Sequence, residues 1–284
     1  MPDKPRNVGA SVRQRLLNLA KARGQPLELL LTRYALERLL HRLSLSPHRE
    51  RFVLKGALLL TTWFDEPHRA TRDLDLLGFG DPSEDALLAV LREVMMIAVD
   101  DGVSFDTAKL KIQPIREDVD YGGSRLSTTA LLSGARIPIV VDVGFGDAIE
   151  PGAEDIELPV LLDLPSPRLR AYPLETVIAE KLHAMVTLGM ANSRMKDYYD
   201  VWMLTRAFTL DPIRLRRAVD ATFARRDTSL LASVPEGLSD AFAADPGKQA
   251  QWQAFARNLS TSRPGLDEVV VDLRLSLSVL FNPP

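Results

Sequence analysis

Apolar residues recur at helical spacing in two stretches near the start of the chain. Leu16, Leu19 and Ala20 form a stripe within Val12 to Ala22. Leu29, Leu30, Ala35, Leu36, Leu39, Leu40 and Leu43 form another within Leu27 to Leu43. Both segments therefore read as amphipathic helices, parted by the breaker Gly24-Gln25-Pro26. The pair is either a DNA-binding helix-turn-helix or a helical cap on a larger core. The pattern then changes. Phe52 to Leu54 reads as a short extended or helix-entry segment, Ala57 to Phe64 as a helix, and Leu74 to Phe79 as a strand. Ser83 caps a helix running to about Ala98, with Leu87, Leu88, Val90, Leu91 and Val94 apolar. Lys109 to Ile115, Ser124 to Leu132 and Ile137 to Phe145 read as strands, with turns at Gly122-Gly123 and Ser133-Gly134.

Pro151 to Pro167 is rich in proline and acidic residues, and reads as a loop with one extended piece at Val160 to Leu162. From there the pattern is helical to the end. Pro173 suits the first turn of a helix reaching about Leu188. Asn192 or Ser193 starts a second, to about Ala207, and Asp211-Pro212 opens a third. Gly237 to Leu280 holds two more, broken at Ser262 to Gly265. The prediction is a mixed α/β half, residues 1–165, and an α-helical half, residues 166–284. There is no internal repeat.

Composition narrows the function classes. The 284 residues are 46% hydrophobic, enough for one large core or two smaller ones. A formal net charge of -3 gives no general attraction to polyanions, so any nucleic-acid surface must be local. Without cysteine there are no disulfides, thiol nucleophiles or cysteine zinc sites. His41, His48, His68 and His183 are too scattered for a histidine metal motif. No apolar run approaches ~20 residues, and the N-terminus lacks the apolar core of a signal peptide. A cytoplasmic protein with no membrane partner is the expectation.

The chemistry concentrates in FVLKGALLLTTWFDEPHRATRDLDLLGF, Phe52 to Phe79. Asp73 and Asp75 stand two apart on a strand and so face the same way, while Leu74 and Leu76 face a core. Like charges side by side are costly unless a cation offsets them. Mg²⁺, a hard oxygen-seeking ion that leaves positions open for phosphate, fits the pair. Gly56 lets backbone approach a phosphate closely, and Thr71 brings a hydroxyl beside the acids. Asp142, inside IPIVVDVGF, is either a third metal ligand or a carboxylate satisfied by an arginine.

A second cluster lies in ETVIAEKLHAMVTLGMANSRMKDYYDVW, Glu175 to Trp202. Lys181 either reaches a triphosphate or sits as a solvated surface group. Asp197 and Asp200 share a helix face, as functional acids or as members of an intrahelical ion-pair network. Tyr198 and Tyr199 either pack or stack a base.

In this order, KGALLL, TRDLDLLGFG, IPIVVDVGFGD and EKLHAM with SRMKDYYDVW resemble the AbiEii/AbiGii family of nucleotidyltransferase-like toxins. The mycobacterial toxins of the MenAT systems are similar. The resemblance runs from about Val12 to Phe223. It implies an α+β fold: a polymerase-β-like nucleotidyltransferase core with a mixed sheet, followed by an α-helical C-terminal domain. It also implies a toxin of an abortive-infection or toxin–antitoxin locus, neutralised by a cognate antitoxin. The implied reaction is Mg²⁺-dependent transfer from NTP, often a pyrimidine nucleotide, to the 3′ acceptor end of tRNA.

Carried onto this sequence, the resemblance assigns the nucleotide to Lys55, Gly56, Thr71 and Lys181, and the metal to Asp73 and Asp75. The third position falls to Asp142, as metal ligand or base. Lys181 matches the family's motif lysine, and Asp197 and Asp200 match its acidic motif. Contacts to RNA phosphates are expected from Arg168, Arg170, Arg194, Lys196, Arg214, Arg216 and Arg217. One departure is Gly56-Ala57 where many nucleotidyltransferases have Gly-Ser or Gly-Gly, which leaves phosphate binding there to backbone N–H groups. Two alternatives carry a different function: transfer to a protein or small molecule, and a non-catalytic module whose first two helices contact DNA.

Overall fold

The computed structural model describes residues 7–64, 71–115, 123–229, 233–257, 259 and 263–281. His68, Gly122 and Ser262 lie outside that set. The chain clusters into two compact units: Met1–Gly146 with Glu154–Ala171, and Asp147–Ala153 with Tyr172–Pro284.

The first unit is a mixed sheet with helices. After α1 (Val8–Arg23) and α2 (Leu27–Leu45) come β1 (Phe52–Lys55), β2 (Leu74–Gly78), α3 (Glu84–Met96), β3 (Ser104–Phe105), β4 (Lys111–Ile115), β5 (Gly123–Leu132), β6 (Ala135–Phe145), β7 (Glu154–Glu157) and β8 (Arg168–Ala171). The strand order is β3-β5-β6-β2-β1-β8-β7, with β4 also paired to β5. β2 runs parallel to β6 and β1 parallel to β8; the other pairs are antiparallel.

Alternation sorts the two faces of this sheet. Leu74 and Leu76 are buried and line one apolar interior with Leu39, Leu40 and Leu43 of α2, Phe52 of β1, and Leu91 and Val94 of α3. Burying a leucine of this kind stabilises by about 1.5–3 kcal/mol. Ile137, Ile139, Val141 and Val143 of β6 are buried likewise, while Asp142 falls on the alternate, half-buried face. The sheet thus keeps one face for packing and frees the other for chemistry.

Helix α2 is a core helix. Every residue from Tyr34 to Leu43 is buried. Among its charged members, Arg42 donates to both oxygens of Asp101 at 2.6 and 3.1 Å, and to the carbonyls of Ile97 and Val103. The buried Arg38 donates one terminal nitrogen to the Pro165 carbonyl, and its Nε and other terminal nitrogen have no hydrogen-bond partner among the described residues. Glu37 accepts from Arg33 and from the Leu161 N–H. A helix so enclosed cannot enter a DNA groove, which removes the helix-turn-helix expectation and leaves the helical cap.

Three local expectations fail for identifiable reasons. Ala57–Thr62 is a 3₁₀ helix rather than an α-helix. There the hydroxyls of Thr61 and Thr62 bond to the carbonyls three residues back, the competition that weakens α-helix. The extended piece in the acidic loop is β7, not Val160 to Leu162. Arg168–Ala171, expected to precede only helix, is strand β8. Its pairing to β1, Val53 opposite Arg170, spans more than a hundred residues and leaves no local signature.

The second unit is helical: α4 (Leu174–Leu188), α5 (Met195–Ala207), α6 (Pro212–Arg225), α7 (Asp240–Ala244), α8 (Pro246–Ala256), α9 (Leu266–Ser276) and α10 (Ser278–Phe281). Asp211 caps α6 by accepting from Ile213 and Arg214 N–H groups, with Pro212 at the first position. Asp245-Pro246 separates α7 from α8, so the two helices expected after Gly237 are four. Tyr198 stacks on Phe242 with ring centroids 5.1 Å apart, and its hydroxyl donates to the Gly237 carbonyl. Tyr199 packs among Trp202, Trp252 and Phe255. Both tyrosines are core groups and neither is placed to stack a base. Among the described residues no helix is long and apolar enough to cross a membrane.

Candidate active site

Strand register assembles the acidic cluster. Asp75 of β2 stands opposite Asp142 of β6. On the outer side of β6, Arg125 of β5 stands opposite Asp142. On the other side of β2, Lys55 of β1 stands opposite Asp75. Four adjacent strands therefore carry a row reading arginine, aspartate, aspartate, lysine. Asp73 lies two residues before Asp75 on the same face. One carboxylate oxygen from each of Asp73, Asp75 and Asp142 falls within 4.8 Å of the others, and all three residues are half-buried. Hard oxygen donors at this spacing suit a divalent cation.

The surroundings hold these carboxylates in place. The Thr71 hydroxyl lies 3.1 Å from Asp73 Oδ1 and 3.3 Å from the Asp73 carbonyl. Gly56 has φ 75° and ψ -162°, a conformation essentially reserved for glycine. A Cβ there would collide with the carboxylate and Cβ of Asp75. The glycine thus makes room for Asp75 as well as for any phosphate.

Arg125 was not singled out by its sequence. Its Nε donates to Asp142 Oδ1 at 2.8 Å and a terminal nitrogen donates to Oδ2 at 2.7 Å. The hydrogen bonds and charge of Asp142, and further off Asp73 and Asp75, push the guanidinium pKa up against a smaller opposing effect of burial. The arginine alternative for Asp142 is therefore met, and the same carboxylate also stands in the acidic cluster. A signal for Arg125 existed. Ser133 and Gly134 take φ 43° and 81°, the two-residue turn that fixes hairpin register. Counting outward in step from Leu132 opposite Ala135 brings Arg125 opposite Asp142.

The second cluster belongs to the helical unit. Lys181 Nζ on α4 lies 2.8 Å from Asp197 Oδ1 and 2.9 Å from Asp200 Oδ2, both on α5. Arg194 Nε approaches Asp197 Oδ2 at 2.7 Å. Asp197 and Asp200 are buried, and the Lys181 side chain is 13% exposed. Lys181 is therefore held in a clasp rather than solvated. Beside it, Arg226 bonds Glu180 and Asp147 at 3.3 and 3.2 Å, and the Tyr172 hydroxyl faces the same two carboxylates at 3.4 Å. Burial pulls the Arg226 pKa down, but Glu180 and Asp147 outweigh it. Burial, then Glu180 and Asp147, push the Tyr172 phenol up. Asp147, Arg226 and the Tyr172–Glu180 pair are far apart in sequence and carry no local motif.

The basic residues assigned to RNA are mostly engaged. Arg168 pairs with Glu157 and Arg170 with Glu50 on the sheet. In the helical unit Arg194 pairs with Asp197, Arg214 with Glu175 and Arg216 with Asp220. Lys196 and Arg217 are exposed.

A mixed sheet presenting three clustered carboxylates opposite a packed face is a frame for nucleotidyl transfer, and nucleotidyltransferase is the class. A family model described as nucleotidyl transferase AbiEii toxin, Type IV TA system, matches residues 38–271, and the protein belongs to that family. The structure of JHP933 from Helicobacter pylori is similar in fold, with a TM-score of 0.52, 17% identity, and coverage of 89% of this chain and 91% of that one. A second H. pylori structure, provisionally described as a nucleotidyltransferase, has 16% identity over 89% of this chain and 94% of that one, at a TM-score of 0.49. A search of curated proteins finds no match. Family membership implies an NTP substrate and a cognate antitoxin.

Proposed function

We propose that this toxin transfers nucleotides from NTP to the 3′ acceptor end of tRNA in a Mg²⁺-dependent reaction, blocking aminoacylation and so translation. The observation that carries the reading is the convergence of Asp73, Asp75 and Asp142 beside Gly56. Their oxygens are the donor type that Mg²⁺ takes. When bound, the ion supplies Lewis acidity toward the triphosphate and offsets charge on the transferring phosphoryl group. Asp73 and Asp75 hold it, oriented by Thr71 and by the room Gly56 leaves. Asp142 completes the ligand set or takes the proton of the attacking 3′-hydroxyl. Lys55 and the backbone N–H groups after Gly56 contact nucleotide phosphate. Lys181, clasped by Asp197 and Asp200, donates to phosphate oxygens and favours pyrophosphate departure. Lys196 and Arg217 are the exposed cations for RNA phosphates, in support of the arginines already paired.

The test incubates the purified protein with total RNA and each α-labelled NTP in turn, read on a denaturing gel. The expected product is tRNA lengthened by one or a few nucleotides, without cleavage, most strongly from a pyrimidine NTP. Asp75→Asn should give no label. Absence of label from all four NTPs overturns the reading. A second acceptor class has one observation in its favour: five of the seven basic residues assigned to RNA are in ion pairs. Label appearing in a protein or a small molecule would move the acceptor there.

A further inference from the structure

Arg125 stands outside every role given above, yet it takes up both oxygens of one member of the acidic cluster. The pair is bidentate and charge-assisted, the strongest form of such contact. The Asp142 side chain is 14% exposed and that of Arg125 42%, so the fork lies at the rim of the cluster with Asp142 inside. Three carboxylates within 4.8 Å carry three negative charges, a costly arrangement without cations. Arg125 offsets one of them permanently. Its lone hydrogen-bonding partner in the cluster is Asp142, but its charge also acts on Asp73 and Asp75.

We propose that Arg125 is a positioning residue that sets the metal demand of the cluster: with one of the three negative charges offset by Arg125, Asp73, Asp75 and Asp142 together match one divalent cation, and a second joins only with the charge of a nucleotide triphosphate. The inference rests on the reading of the triad as a metal seat. A residue acting only as a mechanical brace would predict the opposite effect on metal affinity. Removing a brace loosens Asp142 and weakens binding, whereas removing a neighbouring positive charge tightens it. A unit charge a few ångströms from a divalent ion, screened as in water, changes affinity by about tenfold.

The experiment titrates nucleotide-free protein with Mn²⁺ alone, following free Mn²⁺ by electron paramagnetic resonance. Wild type is expected to bind one equivalent. Arg125→Gln, which keeps hydrogen-bonding capacity but not charge, is expected to bind about tenfold tighter or to take up a second equivalent. Arg125→Lys, which keeps the charge and loses the fork, is expected to stay close to wild-type affinity, and it guards against a folding defect in the first variant. Unchanged or weaker binding by Arg125→Gln, with wild type binding normally, overturns the role of Arg125 alone. No Mn²⁺ binding by wild type, indistinguishable from Asp75→Asn, overturns the metal seat and this inference with it.

Discussion

Replacing Gly56 by alanine tests how the turn after β1 serves Asp75. At φ 75° and ψ -162° an alanine is strained by about 1–3 kcal/mol. The new Cβ also meets the Oδ2, Cγ and Cβ of Asp75. Because the clash includes Cβ, rotating the carboxylate away does not fully relieve it. Register between Lys55 and Asp142 fixes the Asp75 backbone, so the side chain must leave its rotamer at about 0.5–1.5 kcal/mol. The total is about 2–4 kcal/mol of stability, or a fall in melting temperature of about 5–15 °C for a chain of this size. Gly24→Ala is the control. Its φ is 62° with nothing within 4 Å of the added Cβ, so it carries strain without collision. Thermal melts followed by circular dichroism compare the two variants, and transfer is assayed below both melting temperatures. Gly56→Ala should lose at least about 100-fold in transfer through displacement of Asp75, and Gly24→Ala little. If Gly56→Ala melts with Gly24→Ala and transfers at the wild-type rate, the coupling of glycine to carboxylate is wrong.

Lys181→Met should destabilise by about 2–4 kcal/mol, because it removes the cation shared by the buried Asp197 and Asp200 while Asp197 keeps Arg194. Adding Asp200→Asn should recover part of that in urea unfolding, and a loss under about 1 kcal/mol would refute the clasp. Lys196→Ala, at an exposed position, should stay within about 0.5 kcal/mol of wild type. His183 is held down to about 4 in the folded protein by burial and by Arg226, against about 6.5 unfolded. Between those values the unfolded chain binds more protons, so this contribution is intact above pH about 6.5. It is lost as pH falls toward 4, by up to about 3 kcal/mol. In His183→Gln the gap in unfolding free energy between pH 7 and pH 4.5 should shrink; an unchanged gap removes His183 as a source of acid lability.

What could be read from the sequence was what alternation and local spacing encode. Leu74 and Leu76 inward with Asp73 and Asp75 outward follows from period two, and so does Asp142 opposite to Val141 and Val143. The helical half was visible from periodicity and from Pro173 and Asp211-Pro212. Other features depend on partners distant in sequence. β8 exists because β1 and β7 flank it. Arg168 and Arg170 looked like free cations until Glu157 and Glu50 were placed beside them. Tyr198 and Tyr199 sit next to two acidic motif residues, yet Phe242 and Trp252, tens of residues away, decide their burial. Arg125 lies between these cases: the Ser133-Gly134 turn that fixes its register is legible in the sequence, and counting along the hairpin from that turn sets it opposite Asp142.

On the proposed reading, the charge at the sheet would make a cation a requirement for nucleotide binding there. In the clasp, Lys181 and Arg194 face Asp197 and Asp200, so the four charges cancel. Lys181 is thereby a directed hydrogen-bond donor rather than a source of long-range attraction. On the sheet, Asp73, Asp75 and Asp142 retain two net negative charges after Arg125 is counted, and one if Lys55 is counted as well. On the proposed reading a triphosphate approaching that face would meet repulsion from Asp75 and Asp142 on the ladder and from Asp73 just before it. A divalent ion held there would cancel the two negative charges, and would leave the site positive once Lys55 is counted. On that reading the metal would enter with the nucleotide or before it, to a seat where the β-ladder fixes Asp75 and Asp142 and Thr71 holds Asp73 just before β2.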